Sequence, residues 1–146
     1  MSNKLEIVID FDGTVVCHSY PFVGKDIGAV PVLKKLVESG SKLILFTMRS
    51  DKHLDDAVNW FKENGIALYG IQKNPTQQEW TNSPKAYGQM IIDDAALGCP
   101  LIHDKAIHPR PFVNWVEVDR LLINAGLYHV SPLIFNNEKN TLDTTE

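Results

Sequence analysis

An apolar run that stops at two carboxylates, Ile7-Val8-Ile9-Asp10-Phe11-Asp12-Gly13-Thr14, constrains this chain more than any other stretch. Continuous apolar residues ending this abruptly read as a strand buried on both faces, which belongs in a parallel sheet. Residues i and i+2 of a strand share a face, so Asp10 and Asp12 converge as the strand ends. Two converging anions repel unless a cation, a shared proton or a reaction requires them. The carboxyl ends of parallel strands are where open α/β sheets bind ligands. An Asp-Gly pair alone is ordinary turn chemistry. Behind a buried strand, the longer Asp-x-Asp-Gly-Thr string points to an active site.

The rest of the chain repeats the same design. Residues 42–47 (KLILFT) read as a second strand ending in a hydroxyl, residues 66–71 as a weaker third and residues 89–93 (QMIID) as a fourth ending in acids. Residues 97–102 suggest a short fifth. Between them, Pro31 opens a helix that Gly40 stops, and Ser50 or Asp51 caps a second helix that runs to Gly65. A short helix can fit between Pro75 and Pro84. Asn114 caps a last helix before Gly126. Alternating strands and helices predict a three-layer, Rossmann-like α/β fold, a parallel sheet with helices on both faces. Residues 1–135 form one expected domain, with residues 13–30 a small turn or hairpin element and residues 136–146 a polar tail.

Composition narrows the function classes. The chain has 146 residues and a formal net charge of −4, which offers no global attraction to nucleic acid. Its two cysteines, Cys17 and Cys99, lack zinc-site spacing and fit a reducing compartment. No run reaches membrane-spanning length, so a cytoplasmic protein is expected.

Four elements in order, Asp10-x-Asp12-Gly13-Thr14, Thr47, Lys85 and Ile92-Asp93-Asp94, resemble the motifs of the haloacid dehalogenase-like superfamily, mostly phosphatases and phosphotransferases. The resemblance covers about residues 5–102. It implies that Asp10 is a nucleophile forming an aspartyl-phosphate and also a metal ligand. It implies that Asp12 is the acid and base, its backbone carbonyl a further metal ligand. Asp94 aligns with a direct metal ligand and Asp93 with an assisting acid. Thr47 would donate its hydroxyl to a phosphoryl oxygen, with backbone amides such as that of Met48 beside it. Lys85, preferred over Lys73, would open a short helix after Pro84 and neutralise phosphate. Mg²⁺ suits such a site because hard cations prefer oxygen ligands.

The implied activity is Mg²⁺-dependent phosphomonoester hydrolysis, on a small phosphorylated metabolite. A phosphotransferase, a nucleic-acid end phosphatase and a non-catalytic phosphate- or metal-binding module are the alternatives. The short intervals Gly13–Pro31 and Arg49–Lys85 imply a member without a large cap domain, its site open unless the 15–25 loop, or a partner subunit of a homo-oligomer, covers it. His18, Tyr20 and Phe22 can contact the leaving group, although the two aromatic rings fit loop packing equally well. Arg49 can bind a second anionic group or form a surface salt bridge. Trp60, Trp80 and Trp115 read as packing residues, with Trp80 alone worth testing against ligand.

Overall fold

A computed structural model describes residues 4–130; the expected polar tail at 136–146 lies outside the described residues. The fold is mixed α/β. Strands β1 (Glu6–Ile9), β2 (Lys42–Leu45), β3 (Gly70–Ile71) and β4 (Met90–Ile92) form a parallel sheet in the order β3-β2-β1-β4. Helices α1 (Ala29–Glu38), α2 (Asp51–Glu63) and α3 (Trp115–Asn124) complete it. No helix of the described residues is long and apolar enough to cross a membrane.

β1 is central and almost wholly buried, as its unbroken apolar run demands. The chain first winds outward from β1 through β2 to β3, then returns to place β4 on the other side of β1. The strand order therefore reverses between β1 and β4, and a crevice opens at their carboxyl ends. Register aligns Ile9 with both Leu45 and Ile92. Asp10 consequently leaves the sheet beside Asp93, and its amide still donates to the Ile92 carbonyl at 3.1 Å.

The two faces of the sheet are covered differently. Ile7, Ile9, Leu43 and Leu45 share one apolar cluster with Leu33 and Leu36 of α1, Trp60 and Phe61 of α2, and Val118 and Leu122 of α3. All three helices thus pack into a single core. Val8 and Ile44, pointing the other way, meet Ala86 and half-buried Tyr69. The expected helices on both faces are corrected accordingly: on this side the β3–β4 crossover supplies a loop with one 3₁₀ turn, Gln77–Glu79. Two buried amides build that loop. Asn74 Nδ2 donates to the Tyr87 carbonyl, and Gln77 Nε2 donates to the Ser83 and Lys85 carbonyls while its Oε1 accepts the Tyr87 amide. Buried amide side chains satisfied in this way replace the internal hydrogen bonds of a helix.

The ends of the helices follow local chemistry. Asp26 Oδ1 accepts the amides of Gly28, Ala29 and Val30, so α1 begins before Pro31 rather than at it. Asn114 caps α3 by accepting the Glu117 amide. The expected fifth strand does not extend the sheet. β5 (Leu101–Ile102) pairs antiparallel with β6 (Phe112–Val113) as a separate two-stranded unit.

Phe11, the residue between the two acids, carries much of this packing. It is fully buried, edge-on to Trp60 at 5.8 Å and tilted against Phe61 at 6.1 Å. Phe11→Ala should cost about 3–5 kcal/mol of stability, read as a lower denaturant midpoint at unchanged slope; a loss under 1 kcal/mol would contradict this packing.

Candidate active site at the carboxyl ends of β1 and β4

Immediately after β1 the chain turns sharply. The Gly13 amide donates to the Val16 carbonyl at 2.7 Å, and the amides of Thr14 and Val15 donate to the Phe11 carbonyl. Gly13 sits at φ +79°, and a Cβ there would lie 2.0 Å from His18 Nε2 and 2.5 Å from Asp94 Oδ2. Only glycine fits both the backbone angle and the space. The turn is anchored from behind, where Trp115 Nε1 donates to the Thr14 carbonyl and the Val113 amide to the Gly13 carbonyl. Residues 15–17 then pair loosely with 25–27, through Cys17 N to Lys25 O at 2.9 Å and a Val16–Asp26 bridge.

The turn brings carboxylates from two strands together. One oxygen from each of Asp10, Asp93 and Asp94 lies within 4.8 Å of the others. Thr14, fully buried, ties β1 to β4: its Oγ1 lies 2.8 Å from Asp10 Oδ2 and 3.1 Å from Asp94 Oδ1, and accepts the Asp94 amide at 3.0 Å. With one hydroxyl proton, Thr14 can donate to only one of the two acids at a time. His18 Nε2 lies 3.0 Å from Asp94 Oδ2, a contact the Nε2–H tautomer donates. Asp93 Oδ1 accepts the Ala95 amide.

Burial, followed by the hydrogen bond with Asp94 and the charge of Asp93, pushes the Asp10 carboxyl up to about 8; the Phe11 amide and Thr14 hydroxyl oppose the shift. An all-oxygen set of three clustered acids fits a hard divalent cation such as Mg²⁺, which would relieve the same repulsion that a proton relieves here. The Asp12 carboxylate is not part of this cluster. It faces Arg49, which approaches it through two nitrogens at 2.7 and 2.8 Å.

That pairing corrects the expectation for Arg49. It is 2% exposed, so it forms neither a surface salt bridge nor a free anion-binding group. Its hydrogen bond with Asp12 raises its pKa further above the usual arginine value. Tyr20 is also tied to Arg49, its ring 5.2 Å from the guanidinium carbon and edge-on to His53, yet it remains largely exposed. His18 faces Asp94 rather than open solvent.

Thr47 follows the end of β2. Its Oγ1 accepts the Arg49 amide at 3.1 Å, and among the described residues the hydroxyl has no other hydrogen bond. Gln72 fixes this loop: its Oε1 accepts the Thr47 amide, and its Nε2 donates to the carbonyls of Thr47 and Arg49. Gln72 does so from φ +63°, a conformation that its three side-chain bonds hold in place. Met48 is fully exposed beside them.

Lys85 differs from its expected setting. No helix begins after Pro84; Lys85 lies in the crossover loop, exposed, anchored through its backbone by Gln77 and Ser83. Among the described residues no ion pair or hydrogen bond joins its ammonium, or that of Lys73, to the acids. Trp60 and Trp115 are packing residues, while Trp80 is exposed and edge-on to Tyr87.

The sequence pattern assigns no role to Gly13, Thr14 or Gln72, all of which the structure brings into the site. The Thr after Asp-x-Asp-Gly was a usable signal for Thr14. Nothing in the pattern marks Gln72.

The raised Asp10 pKa has a signed consequence for the metal-free protein. Because the folded carboxyl holds its proton to higher pH than the unfolded one, the contribution of Asp10 to stability is fully present below about pH 4 and is lost as pH rises through about 8. In chelator, Asp10→Asn should melt higher than wild type at pH 8 and close to it at pH 4, followed by thermal unfolding across that range. A wild-type melting temperature that rises between pH 4 and 8 as much as the variant's would refute the shift.

No family model matches the chain, and no curated protein matches it. Among solved structures it is similar to a conserved protein from Bacteroides thetaiotaomicron, at 36% identity and a TM-score of 0.62, over 72% of this chain and 86% of that one. At that identity and coverage, the chain belongs to the same family as the conserved Bacteroides thetaiotaomicron protein.

Proposed function

We propose that the protein is a Mg²⁺-dependent phosphomonoester hydrolase of the haloacid dehalogenase-like type, acting on a small phosphorylated substrate through an aspartyl-phosphate. The observation that carries this reading is the meeting of Asp10 with Asp93 and Asp94 at the point where the strand order reverses. The three-layer arrangement of that superfamily is part of the proposal, with the β3–β4 crossover standing where a helical layer would lie. Among the described residues no second globular unit interrupts the chain, in keeping with a member that lacks a large cap.

The chemistry follows from the positions of the side chains. Mg²⁺, held by Asp10, Asp93 and Asp94, would offset phosphoryl charge and let one anion approach another. An ionised Asp10 oxygen attacks phosphorus; the ester oxygen leaves and takes a proton from Asp12. Asp12, now ionised, removes a proton from a water that attacks the same phosphorus. The phosphorus–Asp10 bond breaks, phosphate departs, and both carboxyl groups return to their starting states. Thr47, with a hydroxyl proton to donate, supports a phosphoryl oxygen. Thr14 and His18 hold Asp94 in place against its neighbours.

The test is a panel of phosphate esters with purified protein and Mg²⁺. Turnover should require the metal and fall to background in Asp10→Asn, while Asp12→Asn should lose about 10²–10⁴-fold. Asp94→Asn should need more Mg²⁺ to reach half-maximal rate. A folded, metal-loaded protein inactive across sugar phosphates, nucleotides and phosphorylated oligonucleotides would overturn the proposal. Phosphate appearing on an added alcohol in preference to water would instead identify a phosphotransferase.

A further inference from the structure

Arg49 is the largest fully buried side chain among the described residues, and every N–H of its guanidinium is engaged. Nε donates to Asp12 Oδ2 at 2.8 Å, and Nη2 to Asp12 Oδ1 and to the Phe22 carbonyl, both at 2.7 Å. Nη1 donates to the carbonyls of Pro21 and His53 at 3.3 and 3.4 Å. The rings of Phe11 and Tyr20 lie 5.0 and 5.2 Å from the guanidinium carbon. One planar group thus joins the Asp12 carboxylate, the 20–22 loop and the first turn of α2.

We propose that Arg49 is a positioning residue that fixes the Asp12 carboxyl for proton transfer to the leaving group and sets the 20–22 loop in the same grip. The inference rests on the phosphatase reading of the site. The fork occupies one lone pair on each Asp12 oxygen, so a second lone pair on each is left to carry the proton that passes to the leaving oxygen and is later taken from water. Removing the fork would free the carboxyl to rotate, and proton transfer depends on its reaching the leaving oxygen at hydrogen-bond distance. Lysine cannot substitute: a single ammonium with three donors cannot meet two carboxylate oxygens and three carbonyls in one plane. A salt bridge serving only stability would show the same geometry, so the test must read the proton step.

Leaving groups separate the two roles. p-Nitrophenolate departs without being protonated, whereas an alkoxide does not. kcat/KM covers the steps up to the first irreversible one, here transfer of phosphoryl to Asp10. For R49K we expect kcat/KM to fall about 10²-fold with an alkyl phosphate and only a few-fold with p-nitrophenyl phosphate. Mg²⁺ binding should persist, since Arg49 forms no hydrogen bond or ion pair with Asp10, Asp93 or Asp94. If R49K melts below assay temperature, R49Q, which keeps a planar head with two N–H donors, is measured in its place with the same expectation. Adding D12N should abolish the difference between substrates that R49K creates, because the acid is already gone. Equal losses on both esters in a folded variant, or an unchanged ratio between them, would overturn the inference while leaving the phosphatase reading intact. A wild-type protein inactive on both esters would instead overturn that reading.

Discussion

Repulsion among three carboxylates is the constraint around which this structure is arranged. Asp10, Asp93 and Asp94 meet because parallel pairing of β1 with β4 brings their strand ends level. The surroundings accept the cost by specific means. Thr14 reaches Asp10 and Asp94, His18 reaches Asp94, and Gly13 leaves the space in which these groups meet. What repulsion remains falls on Asp10, which holds a proton well above the ordinary carboxylate range. A cation bound among these acids would relieve the same repulsion and displace that proton.

The positions of the acids follow from the sheet, whereas their orientation follows from loops. Trp115 and Val113, from the far end of the described chain, anchor the Gly13–Thr14 turn through its carbonyls. Gln72 anchors the Thr47–Arg49 loop, and Arg49 in turn holds Asp12. The two carboxylates of the Asp-x-Asp pair therefore have separate surroundings. Asp10 shares an acidic cluster, and Asp12 faces a buried cation. Separate surroundings allow two chemically identical groups to take different roles.

Much of this was legible in the sequence, for identifiable physical reasons. Buried strands ending in polar residues are a strong signal, and the parallel sheet, its buried β1 and the meeting of Asp10 with Asp93 and Asp94 follow from it. Asn114 as a cap and Trp60 and Trp115 as packing residues were equally readable. The crossover layer was not, because Asn74 and Gln77 look like ordinary loop residues until their burial is known. That loop also moved Lys85 off its expected helix. The burial of Arg49 is not legible, because exposure is the usual state of arginine and only the fold reveals five acceptors around one guanidinium. His18 and Thr14 reach Asp94 through contacts 76 and 80 residues apart, which no local pattern encodes.

The central claim is that Asp10 is a nucleophile made competent by a cation at the β1–β4 crevice. Beryllofluoride, which forms a phosphoryl-like adduct on an aspartate only when nucleophile and cation are correctly placed, tests it most directly. Fluorine NMR of the full chain should show bound resonances with Mg²⁺ present, none with chelator, and none in Asp10→Asn. Bound resonances that persist in folded Asp10→Asn, or their absence from folded, Mg²⁺-loaded wild type, would contradict the assignment.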